Sequence, residues 1–169
     1  MRVTLIRHAE AGDDAPRDES RALTVRGRSD ARRLGRALAR RGVRFTLIVT
    51  SPLVRAVQTA EIVAAAIDYR GRMPAIDQLE PEAAASDVVA YLETVAQSKS
   101  AGKSLARSVA LVAHEPILSA VAAALTRKGR HPALRKAEAL RIRLPEGPGA
   151  AGSLRWRVDG GNGRRERLR

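Results

Sequence analysis

The chain opens with a short apolar run, Val3-Thr4-Leu5-Ile6, which is followed directly by Arg7-His8-Ala9-Glu10. Such a run predicts a buried strand, and His8 is then the first side chain beyond its carboxyl end. Ligands of open α/β sheets bind in the crevice outside the carboxyl ends of the strands, so this is a favourable place for chemistry. A second apolar run, Ser108 to Ala113, ends in the same way in His114. Two of the chain's three histidines therefore terminate predicted strands.

Predicted strands alternate with predicted helices between His8 and His114, and further helical and strand segments are predicted after His114. Helix starts are predicted from an N-cap at Thr24, from Ser51-Pro52, from Ser86 and from Pro116, and Gly42 is expected to end the first helix. The predicted strands cover residues 2–6, 45–49, 74–79, 108–113, 138–144 and 154–158.

This alternation predicts an α/β fold, a three-layer sandwich in which a mainly parallel sheet carries helices on both faces. The last two strands have no helix between them, so we expect an antiparallel pair at the sheet edge near the C-terminus. Residues 1–158 are predicted to form a single domain. Residues 159–169, rich in glycine and arginine, are predicted to form a basic, flexible tail.

Composition excludes several classes of protein. There is no cysteine, and therefore no disulfide or thiolate site, and no apolar stretch is long enough to span a membrane. We therefore expect a cytoplasmic protein without membrane attachment. The net charge of +13 would suit a polyanionic partner, but only four residues are aromatic, too few to stack bases. Nucleic acid is not expected to be the main ligand.

Two segments look like phosphate-binding loops but lack their context. Gly147 to Gly152 fits a dinucleotide-binding glycine pattern, yet a strand follows it where a helix is required. Gly102-Lys103-Ser104 ends like a nucleotide-binding P-loop, but Gln97 stands at the position of the first glycine. With no recognisable metal-ligand cluster either, we predict no cofactor and no metal.

Three motifs resemble the histidine phosphatase superfamily, also called the phosphoglycerate-mutase-like fold: Arg7-His8-Ala9, Ser51 to Ala60 with Arg55, and Ala113-His114. The short chain, and Ser20-Arg21-Ala22-Leu23-Thr24 followed by Gly27, are similar to its compact SixA-like branch of phosphohistidine phosphatases. The resemblance covers about residues 1 to 125. It implies a reaction that passes through a phosphorylated histidine on the enzyme.

The chemistry of these side chains agrees with that implication. A neutral imidazole held at one nitrogen can attack phosphorus with the other, which makes His8 the predicted nucleophile. Arginine forks stabilise a phosphoryl group in transfer, and Arg7 and Arg55 are predicted to do so. His114, expected to be protonated, would add a donor, and Arg21 is predicted to reach the same group from its loop. We expect phosphate or sulfate to bind among these side chains.

A general acid is harder to identify. Glu80 is the first candidate and Glu82 the second, because larger relatives place an acidic residue after the middle strand. An imidazole leaving from phosphohistidine can be protonated by water, so the absence of an acid would favour that substrate.

The sequence therefore predicts a metal-independent phosphatase with phosphohistidine on a protein as substrate. The alternative is a phosphatase for small phosphomonoesters. A third hypothesis, a non-catalytic binding module for phosphorylated or polyanionic partners, is disfavoured because both strand-end histidines are intact.

Overall fold

The computed structural model describes residues 1–100, 103–104, 107–162 and 165–167. In this part of the chain the main sheet has six strands, in the order β2-β5-β1-β6-β7-β8, and β3 and β4 form a separate pair. The strands are β1 (Arg2–Arg7), β2 (Leu47–Thr50), β3 (Lys99–Ser100), β4 (Lys103–Ser104), β5 (Val109–Ala113), β6 (Glu138–Arg143), β7 (Ser153–Asp159) and β8 (Arg165–Arg167).

The centre of the sheet is parallel and its C-terminal edge is antiparallel. Strand β5 lies between β1 and β2 and runs parallel to both, so that Val109 faces Val3 on one side and Leu47 on the other. From β1 outward, β6, β7 and β8 each run antiparallel to the strand before. The predicted fold class, including its antiparallel edge, is confirmed.

Helices cover both faces of this sheet. They are α1 (Val25–Arg40), α2 (Val54–Ala66), α3 (Ala85–Gln97) and α4 (Ile117–Thr126). Helices α1 and α2 pack on one face, where Leu34 and Val63 belong to the same buried cluster as Ile6. Helices α3 and α4 pack on the other face, where Leu92 and Val121 join the cluster around Leu5. None of the helices in the described residues has the length and apolar character needed to cross a membrane.

The start of α1 is fixed against the loop that follows β1. Thr24 caps the helix as predicted, its Oγ1 accepting a hydrogen bond from the Gly27 amide at 2.9 Å. The amide of Thr24 in turn donates to the Glu10 carbonyl at 3.0 Å. A side chain at position 27 would collide with that carbonyl oxygen, so this close approach requires glycine. The helix ends before Gly42, whose φ of 62° is the left-handed conformation expected of a terminating glycine.

Three local predictions from the sequence were wrong. Residues 74–79 form no strand: Ala75 makes one isolated bridge to Thr50, and Asp77–Leu79 then turn into a short 3-10 helix. Ser86 lies inside α3, whose N-cap is Ala84. Ser51 does not cap α2, which begins after Leu53. In each case the wrong prediction was based on a short local pattern, a serine near a helix start or a brief apolar run.

The C-terminal segment also differs from the predicted tail. Residues 165–167 pair with β7, with Glu166 opposite Arg157, so this part of the segment extends the sheet. The chain reverses after Asp159, whose Oδ1 accepts from the Gly161 amide at 2.7 Å, and the Gly160 amide donates to the Ala137 carbonyl at 2.9 Å. The predicted tail's Gly163, Arg164, Leu168 and Arg169 lie outside the described residues.

Candidate active site

His8 is held at the carboxyl end of β1 by main-chain hydrogen bonds on both sides. Its amide donates to the Ala113 carbonyl at 2.9 Å, and its own carbonyl accepts from the Ala137 amide at 3.1 Å. Its side chain is buried, and Nδ1 lies 2.7 Å from the Ala9 carbonyl oxygen. A carbonyl can only accept, so Nδ1 carries the proton and Nε2 of the neutral ring has a lone pair.

Burial sets the charge of His8. The pKa of the imidazole is lowered to about 4, chiefly by burial; the hydrogen bond to Ala9 opposes this shift, and the positive charges of Arg55, Arg7 and Lys136 add to it. The ring is therefore neutral at neutral pH, as a nucleophile must be.

His114 lies directly beside His8, at the end of β5. The two ring centroids are 4.9 Å apart, and His114 is almost completely buried. Burial, followed by the neighbouring His8 and by Arg55, lowers the pKa of His114 to about 3. Desolvation outweighs the nearby carboxylate of Asp18, so these surroundings favour the neutral ring; the protonated ring expected beside a phosphate stays a prediction.

Ser51 is a site residue that the sequence analysis assigned to a helix cap. It is fully buried, its amide continues the sheet by donating to the Val112 carbonyl at 2.9 Å, and its Oγ lies 2.8 Å from Nε2 of His114. The same Oγ accepts from the Leu53 amide at 3.3 Å. The other ring nitrogen of His114, Nδ1, is buried and has no hydrogen-bond partner among the described residues. The serine at the head of the Ser51 to Ala60 motif was the available signal.

Arg55 enters the site from the first turn of α2. Its guanidinium is buried and donates twice to one loop residue: Nη1 to the Asp18 carbonyl at 2.7 Å and Nη2 to Asp18 Oδ2 at 2.8 Å. Thr59, one turn later on α2, donates to the Arg55 carbonyl at 2.7 Å and accepts from the Ala9 amide at 3.1 Å. The helix that carries Arg55 is thereby tied to the loop that follows His8.

Asp18 connects Arg55 with Arg21. Nη1 of Arg21 donates to Asp18 Oδ1 at 2.9 Å, its Nε to the Gly12 carbonyl at 2.8 Å, and its Nη2 pairs with Asp13. Hydrogen bonds from Arg55 and Arg21 hold the pKa of the Asp18 carboxyl below its usual range. Arg21, predicted as a phosphate ligand, thus lies one carboxylate away from Arg55. Asp18 itself was not predicted, because an exposed loop acid carries no sequence signal.

Arg7 is positioned from the loop before β6. Its Nη1 donates to the Leu134 carbonyl at 2.7 Å, and its buried Nε has no partner among the described residues. The amide of Leu134 donates to Glu115 Oε1 at 2.7 Å, and Glu115 Oε2 accepts from the Ser119 hydroxyl at 2.7 Å. Glu115, next to His114 in sequence, therefore positions Leu134, the residue whose carbonyl binds Arg7.

Neither predicted acid is hydrogen-bonded to this cluster within the described residues. Glu80 is half-buried after the short helix Asp77–Leu79, and Glu82 is exposed. Within the described residues neither carboxylate makes a hydrogen bond or ion pair, so nothing joins either one to His8. The same residues contain no group of three or more histidine and acidic side chains that could hold a metal ion.

The structure thus gathers the imidazole of His8, with its Nε2 unprotonated, the imidazole of His114 and two guanidinium groups at the carboxyl edge of a parallel sheet. This arrangement can accept a phosphoryl group on His8 Nε2 while arginine forks bind its oxygens. It defines a site of the kind used for phosphoryl transfer through histidine.

Comparison with known proteins agrees with that class. The family profile of the histidine phosphatase superfamily (branch 1) matches residues 3–80. An uncharacterized protein of Picosynechococcus is 35% identical over 148 residues, which are 85% of this chain and 85% of that protein. The chain belongs to the histidine phosphatase superfamily and to its SixA-like branch.

Solved structures show the same fold. The protein histidine phosphatase SixA, complexed with tungstate, superimposes with a TM-score of 0.85 at 26% identity, covering 96% of this chain and 99% of that one. A mycobacterial glucosyl-3-phosphoglycerate phosphatase, in complex with VO3, has a TM-score of 0.69 at 17% identity, covering 90% and 96%. The first acts on a protein and the second on a small ester, so these relatives differ in substrate.

Proposed function

We propose that this protein is a phosphatase that works through a phosphorylated His8 and removes phosphate from phosphohistidine on a protein. The observation that carries the proposal is the fixed tautomer of His8: Nδ1 is bound to the Ala9 carbonyl, and Nε2 lies unprotonated beside His114 and two arginines.

The reaction has two steps. In the first, the lone pair of His8 Nε2 attacks phosphorus while the bond from phosphorus to the substrate nitrogen breaks, and the leaving imidazole takes a proton from water. In the second, a water molecule attacks the same phosphorus and the bond to Nε2 breaks. One proton of that water stays on the released phosphate, the other neutralises the hydroxide left by the first step, and the neutral ring returns. Arg7 and Arg55 stabilise the charge on the equatorial oxygens in both steps.

His114 contributes as a neutral donor. Ser51 Oγ accepts from the Leu53 amide, and among the described residues the acceptor within reach of its own hydroxyl proton is His114 Nε2; assigning the proton to that bond leaves the ring proton of His114 on Nδ1. An Nδ1–H without a partner in the protein can then donate to a phosphoryl oxygen. Ser51 is on this account a positioning residue that selects the tautomer of His114.

The choice of a P–N substrate is supported by the lack, among the described residues, of a hydrogen bond between either predicted acid and the His8 cluster. A serine or sugar alkoxide must be protonated as its bond to phosphorus breaks, and neither Glu80 nor Glu82 is bonded to the His8 cluster. Imidazole is a better leaving group. A phosphatase for small phosphomonoesters is the alternative, for which the VO3-binding neighbour is the precedent.

The test is a comparison of rates on a phosphohistidine-bearing carrier protein and on a panel of phosphomonoesters. We expect the carrier to be dephosphorylated faster, and enzyme quenched in alkali to carry acid-labile phosphate that is absent from a His8→Ala variant. We further expect a chelator to leave the rate unchanged. Turnover by His8→Ala would refute the nucleophile, and faster turnover of a phosphomonoester would refute only the substrate. No hydrolysis of any donor would favour the non-catalytic binding module.

A further inference from the structure

A second cavity, of about 410 Å³, lies at the opposite end of the sheet from His8. Thr4, which contacts its wall, precedes His8 by four strand residues, roughly 13 Å at the usual rise per residue. Among the described residues the lining contains no acidic side chain. It consists of Arg2, Arg41, Gly42, Val43, Arg44, Arg141 and Trp156.

Arg141 is the buried member of this lining. Its side chain points from β6 between two aromatic rings, with the guanidinium carbon 5.1 Å from the Trp156 centroid and 5.8 Å from that of Phe45. The residue is only 8% exposed, and its Nε donates to Thr4 Oγ1 at 3.0 Å and its Nη2 to Ser108 Oγ at 3.4 Å. No carboxylate of the described residues lies within ion-pair distance of it. Buried guanidinium groups are ordinarily paired with an anion, so this one is unusual.

Two further arginines beside Arg141 add positive charge to the cavity. Arg2 and Arg44 are exposed, and the hydrogen bonds that the structure gives their side chains go to main-chain carbonyls at 3.4 and 3.3 Å. Burial and the charge of Arg2 lower the pKa of Arg141 to about 10, so the group stays protonated at neutral pH. The cavity is therefore rich in positive charge, and no carboxylate of the described residues neutralises Arg141.

We infer that this cavity is a second anion site, distinct from the candidate active site, which binds a small ligand carrying two or more linked phosphate groups. Guanidinium forks bind phosphate oxygens in pairs, and several converge here. The volume falls within the range of small-molecule sites, about 300–1,000 Å³, which leaves room for more than one phosphate.

The chain's single tryptophan, Trp156, reports on this site because it lines the cavity and stacks against Arg141. The experiment titrates the protein with pyrophosphate, ADP and inorganic phosphate at constant ionic strength set by KCl, and follows Trp156 fluorescence. We expect a saturable change with pyrophosphate at lower concentration than with inorganic phosphate. Equal response to pyrophosphate and ADP identifies the linked phosphates as the recognised group, whereas a response to inorganic phosphate alone would overturn the ligand class.

Variants separate this site from the active site and from general charge. The double variant Arg2→Gln, Arg44→Gln removes two exposed cations and should raise the Kd for pyrophosphate about tenfold. Arg155→Gln, an exposed arginine on β7 outside the lining, is the matched control and should change the Kd less than about twofold. Arg55→Ala should retain the signal.

Arg141→Met should abolish the fluorescence change. If that variant does not fold, the double variant at the exposed Arg2 and Arg44 still tests the site. Four outcomes would each overturn the inference. The wild type could give no fluorescence change, or the double variant could keep the wild-type Kd for pyrophosphate. Arg155→Gln could lose as much affinity as the double variant, or Arg55→Ala could lose the fluorescence change.

Discussion

The Asp18 carboxylate binds Nη2 of Arg55. If Arg55 binds a phosphoryl group through this edge, as proposed, the substrate must displace that carboxylate. We predict that Asp18→Asn increases the affinity of the active site for phosphate and vanadate. The carboxylate makes two charge-assisted contacts, at 2.8 Å to Arg55 and 2.9 Å to Arg21, and its side chain is 56% exposed. Exposed pairs contribute about 0.2–1 kcal/mol each, so about 1 kcal/mol of competition is removed, or about a fivefold lower inhibition constant.

The pH dependence of this competition follows from the depressed pKa of Asp18. The carboxylate stays charged throughout the neutral range, so the difference between wild type and Asp18→Asn should be constant there and shrink only on strong acidification, as the wild-type carboxyl becomes protonated. The main-chain carbonyl of Asp18 continues to accept from Arg55 in the variant, which keeps the guanidinium in place.

The assay is inhibition of ester hydrolysis by phosphate and by vanadate. Asp13→Asn is the matched control, because Asp13 pairs with Arg21 but not with Arg55, and it should leave the inhibition constant unchanged. An unchanged or raised inhibition constant in Asp18→Asn would show that Asp18 aligns Arg55 for substrate, and the competition argument would be abandoned.

Three other perturbations follow from the same contacts. Ser51→Ala removes the hydroxyl that fixes the tautomer of His114, so kcat should fall by up to about 100-fold through loss of an aligned donor. Ser51→Thr should restore part of that kcat, and a wild-type kcat in Ser51→Ala would remove Ser51 from the mechanism. His8 has its pKa lowered from 6.5 to about 4, so its contribution to stability, about 3 kcal/mol, is complete above pH 6.5 and is lost as pH falls to 4. Urea denaturation at a series of pH values should show the free energy of unfolding of the wild type falling between pH 6.5 and 4, and falling less in His8→Asn. An equal dependence of that free energy on pH in the two proteins would contradict the prediction. Gly27→Ala should lower the free energy of unfolding by at least about 2 kcal/mol, because the new methyl group collides with the Glu10 carbonyl. A urea midpoint within error of the wild-type midpoint would mean that the loop containing Glu10 moves aside at little cost.

The features predicted correctly from the sequence are those with a local cause. The apolar runs that end at His8 and His114 form adjacent parallel strands, and the cap at Thr24 and the terminating Gly42 are where the sequence pattern places them. These signals need only neighbours a few residues away in the chain.

The features that were missed depend on residues far apart in sequence. Ser51 satisfies the pattern of a helix cap, and only the arrival of His114, 63 residues later, makes it part of the site. Asp18 acquires its role from an arginine 37 residues away. Residues 165–167 become a strand because β7 presents an unpaired edge to them, which their own basic sequence does not indicate.

Both arginines that we propose to bind phosphate are held by main-chain oxygens, Arg7 by the carbonyl of Leu134 and Arg55 by the carbonyl of Asp18. A carbonyl is present whatever side chain its residue carries. The loops can therefore exchange side chains, provided their backbone path is kept, without moving either guanidinium group. Selection for a new substrate can act on the rim of the pocket while the phosphate-binding groups stay in place.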